Sequence, residues 1–274
     1  MTRIVHALTT LAVIAVPALG WFTQDWSGAT TLAVYWFETV AACLFILARI
    51  AIHQRWSPRR GHFRYNAPGP DGTQFTRKMK GAGRRGSQQS FAAGFALISL
   101  SFCAAHGVFL GTILFMLNHN GVGNLAEIDW CSVGFGCVYV LAFLAIDFLV
   151  DLTSLRQWSF WQLEQTANRA IGRVMVIHLT LLIGFVGIAV TGAPHTFFGV
   201  FVVLKSLSAL SFGLPQWEPS QPPKWLSGIM NHAPNVHPGQ RFEEFWAAER
   251  DEERQRRLSN ERPWAEDPRP KPRR

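Results

Sequence analysis

Hydrophobic and polar positions fall into long blocks along this chain rather than alternating residue by residue. Six apolar stretches, over residues 4–22, 29–53, 90–117, 130–151, 170–191 and 195–213, approach or exceed the roughly 20 residues that a helix needs to cross a bilayer. The third is long enough to tilt and the sixth is short. Lipid offers the backbone no hydrogen-bond partners, so each stretch is predicted as a helix rather than a strand. The pattern predicts an all-α fold: a polytopic membrane helix bundle of about six transmembrane helices over residues 1–213, followed by a charged tail over 214–274.

The polar blocks predict an orientation. The segment RWSPRRGHFRYNAPGPDGTQFTRKMKGAGRRG, within the basic loop 54–89, carries nine Lys or Arg and one acid, Asp71, and the tail carries eleven more basic residues. The connections on the other side, TQDWSG, NHNGVGNLAEID and TGAP, hold no Lys or Arg. By the positive-inside rule both termini are expected in the cytoplasm, with the chain in the cytoplasmic (inner) membrane. The first stretch has features of a signal peptide, with Arg3 ahead of an apolar run and VPALG as a weak cleavage site. Its apolar run is longer than an ordinary signal core, and keeping it leaves an even span count, so it is taken as a helix.

The polar segments have some structure of their own. LRQWSFWQLEQTAN (155–168) joins the fourth and fifth spans, and its Trp158, Phe160 and Trp161 suit the membrane interface. In the tail, 241–258 is predicted as a short helix with acidic and basic residues at pairing distances. The rest of the tail holds ten of the fifteen prolines and is expected to be extended. The basic loop reads as a linker lying against anionic headgroups.

Composition adds little beyond this. The chain is 49% hydrophobic and 16% charged, with eleven tryptophans, as a multi-pass protein should be. Its net charge of +8 is accounted for by a positive inner surface without nucleic acid. Four cysteines, Cys43, Cys103, Cys131 and Cys137, match no zinc or redox spacing and read as packing residues. Neither the basic loop 54–89 nor the tail shows a nucleotide loop, a nucleophile elbow or a metal-ligand spacing.

The chemistry lies in the ionisable residues inside the spans, which are costly in lipid and commonly mark ion paths, relays or ligand sites. At 1.5 Å per residue, Glu38 falls about 10 Å below the outer surface, His106 and Lys205 about 15 Å, and His178 about 20 Å. Asp147 and Arg173 fall about 25 Å down. The first group is the candidate polar site. The second is expected to be a structural ion pair, with Asp151, four residues on, sharing Arg173 or meeting solvent. Arg49, His53 and His195 sit nearer the interfaces. A buried pair such as Glu38–Lys205 can equally serve only to fix helix register.

YWFE (35–38), HGVF (106–109), GRVMVIHLT (172–180) and LKS (204–206) resemble an uncharacterised family of multi-pass bacterial and archaeal membrane proteins. That family shows YWxE, HGxF and GRxxxLH motifs followed by a lysine-bearing helix, and the resemblance runs over roughly 29–213. It implies a helical membrane fold and the residue set Glu38, His106, Arg173, His178 and Lys205. Where the family often has an acid four residues after the lysine, this chain has Ala209. The family is a domain of unknown function, so the resemblance implies no activity.

Several function classes stay open. A small permease or ion- or proton-coupled binding protein would use the Glu/His/Lys cluster. A haem- or metal-binding redox protein would use His106 and His178 as ligands. A membrane-embedded hydrolase or transferase would need Glu38 or a histidine as base, with no evident nucleophile. A structural subunit of a membrane complex is the fourth.

Overall fold

The computed structural model describes residues 2–68, 90–119, 127–191, 200, 202–207, 219–232, 239 and 241–266. Among them the chain is helical throughout, with no strand beyond one isolated bridge between Arg59 and Pro263. It divides into two units, residues 1–57 with 92–214 and residues 58–91 with 215–274.

The first unit is the membrane bundle. It contains α1 (Thr2–Thr23), α2 (Gly28–Trp56), α4 (Phe91–His119), α5 (Trp130–Ser154), α6 (Phe160–Thr191) and a helical segment over 202–207, with α3 (Arg60–Phe63) belonging to the second unit. Among the described residues, four helices are long and apolar enough to cross a membrane: Ile4–Thr23, Gly28–Trp56, Phe91–Thr112 and Trp130–Gln157. The fifth predicted span, 170–191, lies within the 32-residue α6. Most of the sixth, 195–213, lies outside the described residues.

Local chemistry sets the helix starts. The Ser27 hydroxyl accepts from the Thr30 amide at 3.0 Å and opens α2. Asp129 accepts from the Cys131 and Ser132 amides at 3.0 and 3.3 Å and opens α5. The Ser132 hydroxyl, donating at 2.6 Å, and the two amides hold the Asp129 carboxyl below the usual carboxylate range. At α6, Ser159 and Gln162 cap each other reciprocally: the Gln162 amide donates to the Ser159 hydroxyl, and the Ser159 amide to the Gln162 side chain.

Helix α5 packs against α1 and α2, and α2 also meets α1 and α6. Small residues let them approach: a Cβ added at Gly136 of α5 would stand 2.9 Å from a Val34 methyl. One added at Gly20 of α1 would run into the Trp26 ring of the connection to α2. On the far side of α2, Trp36 donates its indole N–H to the Cys103 carbonyl of α4 at 2.9 Å. The outward faces carry exposed Leu8, Leu97, Val108, Phe135, Val138 and Leu149, a surface suited to lipid.

The second unit is polar. Besides α3 it contains α7 (Lys224–Met230) and α8 (Phe242–Glu261). The tail helix expected over 241–258 is α8, and the start of the basic loop packs on it. Arg60 donates its amide to the Arg262 carbonyl at 2.8 Å, and Trp264 donates its amide to Pro58 at 3.2 Å. Buried Asn260 bonds both the amide and the carbonyl of Asn66, at 3.1 and 3.0 Å. Phe63 lies 4.4 Å from the Trp264 ring. The first residues of the basic loop, 58–66, are tied to the tail by backbone pairing and by Asn260. The stretch 69–89 lies outside the described residues.

Candidate functional site

Tyr35 and Glu38 sit three residues apart on α2, so they share one face. Tyr35 packs with Leu32, Leu110 of α4 and Val202 in an apolar cluster, with Ala18, Trp21 and Phe109 around it. Val202 is the anchor of the 202–207 segment, and Lys205 lies one turn further along it. That register brings the Lys205 ammonium to 2.6 Å from the Glu38 carboxylate. It also stands 3.2 Å from the centroid of the Tyr35 ring, whose negative face attracts a cation. Both charged side chains are about 5–6% exposed. A charge with so little water is held by its partner, and removing either partner leaves the other stranded.

Two sequence-predicted residues flank this pair. His106 is buried on α4, one turn before Leu110 of the same cluster. Arg173 lies within electrostatic range of both Lys205 and Cys43. Its neighbour Val174 packs with the buried thiols Cys43 and Cys103. His178 is on α6, but its side chain lies outside the described residues, so the two-histidine haem or metal reading gains no geometry.

The expected Asp147–Arg173 pair does not form. Asp147 bonds Arg49 of α2 at 2.8 Å and His6 of α1 at 2.6 Å, and Thr9 donates to it at 3.0 Å. Asp151, expected to share Arg173 or meet solvent, is buried and takes the Arg49 Nε at 2.7 Å. Its other oxygen is 3.1 Å from the second His6 nitrogen. Arg49 also lies over the Phe148 ring at 5.4 Å. The physical reason is rotational: Asp147 and Asp151 share a face of α5, and that face points at α1 and α2. Depth along a helix says nothing about that direction.

His6 and Arg49 are therefore the members of this cluster that sequence reasoning missed. Two acids at i and i+4 on one apolar helix were the available signal, since such a face needs a cation with two donors. His6, Asp147 and Asp151 also have the donor types of a metal site, with ligand atoms within 4.8 Å of one another. The second oxygen of each carboxylate is already bound by Arg49, which makes the cluster self-compensating.

The chain matches no curated protein and no solved structure. Residues 1–224 match a family described only as of unknown function, DUF6498. With helices fit to span a membrane and a match over most of its length, the chain is a membrane protein that belongs to this family of unknown function.

Proposed function

We propose that the protein is a small permease or ion-coupled binding protein whose intramembrane site is built on the Glu38–Lys205 pair, with buried His106 of α4 as a further member. One observation carries the reading: a single acid and a single amine, joined at 2.6 Å and almost wholly buried among apolar helices. Such a pair has two arrangements. Closed, each charge neutralises the other. When a proton or cation takes Glu38, Lys205 is released to bind an anion, so loading of one partner is coupled to loading of the other. The ammonium suits this role because it is a compact charge on a flexible stem, unlike a guanidinium fixed by several bonds.

The charge asymmetry of the loops supports an inner-membrane orientation with both termini cytoplasmic and the loop 54–89 against anionic headgroups. Cysteine labelling tests it: a cysteine at Gly72 should resist a membrane-impermeant maleimide in intact cells, and one at Asn124 should react. The reverse pattern would overturn the orientation. For the site, protein reconstituted in liposomes with an internal pH dye should pass protons under an imposed potential, and Glu38→Gln should stop it. A wild type that passes none, or a variant that matches it, would sink the coupled reading.

A further inference from the structure

Two arginines stand apart from every pairing described above. Arg169 and Arg173 lie four residues apart on α6, which puts their side chains next to each other on one flank of the helix. The buried stripe of α6 is Phe160, Leu163, Ala167, Ala170 and Val174. Position 173 borders that stripe, position 169 is turned further from it, and both residues are half-buried. In both, the Nε hydrogen is shielded from solvent and has no hydrogen-bond partner, and among the described residues neither has a carboxylate. Arg49, by contrast, spends Nε and Nη2 on two aspartates.

Glu38 is already held by Lys205, and among the described residues no carboxylate bonds Arg173, which lies in electrostatic range of that lysine. The two arginines also straddle a boundary. Arg169 follows Gln162, Glu164, Gln165 and Asn168, and Arg173 lies four residues into the apolar stretch 170–191.

We propose that Arg169 and Arg173 form a binding site for a phosphate group on the flank of α6. A guanidinium presents donors in a planar fork that matches two oxygens of a phosphate, and two forks one turn apart can close on a single phosphate from the same side. Binding there gives the shielded Nε hydrogens an acceptor and the two guanidinium groups a counter-charge. The phosphate comes either from a phospholipid headgroup or from a free phosphate-bearing solute. This site is separate from the Glu38–Lys205 pair and stands or falls without it.

The experiment uses the full chain purified in a non-ionic detergent, titrated separately with inorganic phosphate and with the short-chain lipid dihexanoylphosphatidylglycerol, while Tm is followed. A saturable rise in Tm is expected with at least one probe. A response to the lipid alone assigns a headgroup, and a response to inorganic phosphate at similar concentration assigns a free ligand. R169Q/R173Q should weaken the binding about tenfold or more. R169K/R173K keeps both charges, so it guards against a variant that fails to fold, and it should still bind more weakly than wild type because the forks are gone. No saturable response to either probe in the wild type, or unchanged affinity in either double variant, would overturn the site.

Discussion

The bundle holds two charged sites of opposite design. Glu38 and Lys205 form a bare pair, a single ion-pair contact of 2.6 Å between side chains about 5–6% exposed, with the ammonium also over the Tyr35 ring. The cluster of His6, Arg49, Asp147 and Asp151 is saturated instead, with each aspartate oxygen on Arg49 or His6 and Thr9 adding a further donor. The saturated site joins three helices, α1, α2 and α5, and its members His6 and Asp147 are 34% and 26% exposed. A site with that many mutual bonds cannot release one partner without breaking several contacts, so it behaves as a latch. The Glu38–Lys205 pair breaks one ion-pair contact to open, and the ammonium can do so while staying near the Tyr35 ring. Burial alone therefore does not separate architecture from function; the number of bonds that hold each charge does.

The largest effect should come from the latch. Arg49→Leu leaves two carboxylates in the bundle without their guanidinium, and losing one partner of a buried pair costs about 3–5 kcal/mol. The loss should lie at or above the upper end of that range and appear as a large drop in Tm in detergent. Adding Asp147→Asn and Asp151→Asn should recover much of it, since the stranded charges are then gone. Arg49→Lys should recover little, because an ammonium cannot serve Asp147 and Asp151 through a fixed fork. A cost below about 1 kcal/mol for Arg49→Leu, the level of a surface ion pair, would break the comparison.

The bare pair should respond differently. Glu38→Gln and Lys205→Met should each cost about 3 kcal/mol, because each strands the other's charge. The double variant should regain most of that stability, as a neutral buried pair of similar size often does. It should nevertheless stay inactive in proton flux. Recovery of stability without recovery of flux would separate the two roles sharply. If the double variant is as unstable as the sum of the singles, the two residues are not coupled, and the pair is no different in kind from its neighbours.

How much of this was legible in the sequence follows from what a linear pattern encodes. Apolar blocks give helices, because a bilayer allows little else. Ser27, Asp129 and the Ser159–Gln162 box mark helix starts through bonds made within four residues, so local sequence carries them. Glu38 and Lys205 could be matched because depth is readable from residue count. Rotation about the helix axis is not readable that way, which is why Asp147 was assigned Arg173 when it faces Arg49 and His6. The pairing of Arg60 with Arg262 and of Asn66 with Asn260 joins segments some two hundred residues apart, and no local pattern signals it.

The smallest effect concerns a third charged group that serves as a surface reference. On α8, Glu253 accepts from the Arg256 Nε and Nη2 at 2.6 and 2.8 Å and from the Arg257 Nε at 2.6 Å, a fork as complete as that on Arg49. Partial burial pushes its carboxyl upward, but the bonds and charges of Arg256 and Arg257 outweigh that, so it titrates below the ordinary glutamate range. A carboxyl depressed in the folded state stabilises above its unfolded pKa, and that contribution is lost as pH falls through the folded value. Glu253 is 29% exposed, so the gain is screened and should be no more than about 1 kcal/mol. Amide exchange over α8 in the full chain should therefore hold steady near neutrality and quicken below the ordinary glutamate pKa, with Glu253→Gln removing that step. Geometry being equal, the difference between this step and the collapse expected for Arg49→Leu measures what burial adds to a saturated site. An acid step at Glu253 as large as the Arg49→Leu loss would mean that bonding geometry, and not burial, sets the strength of both.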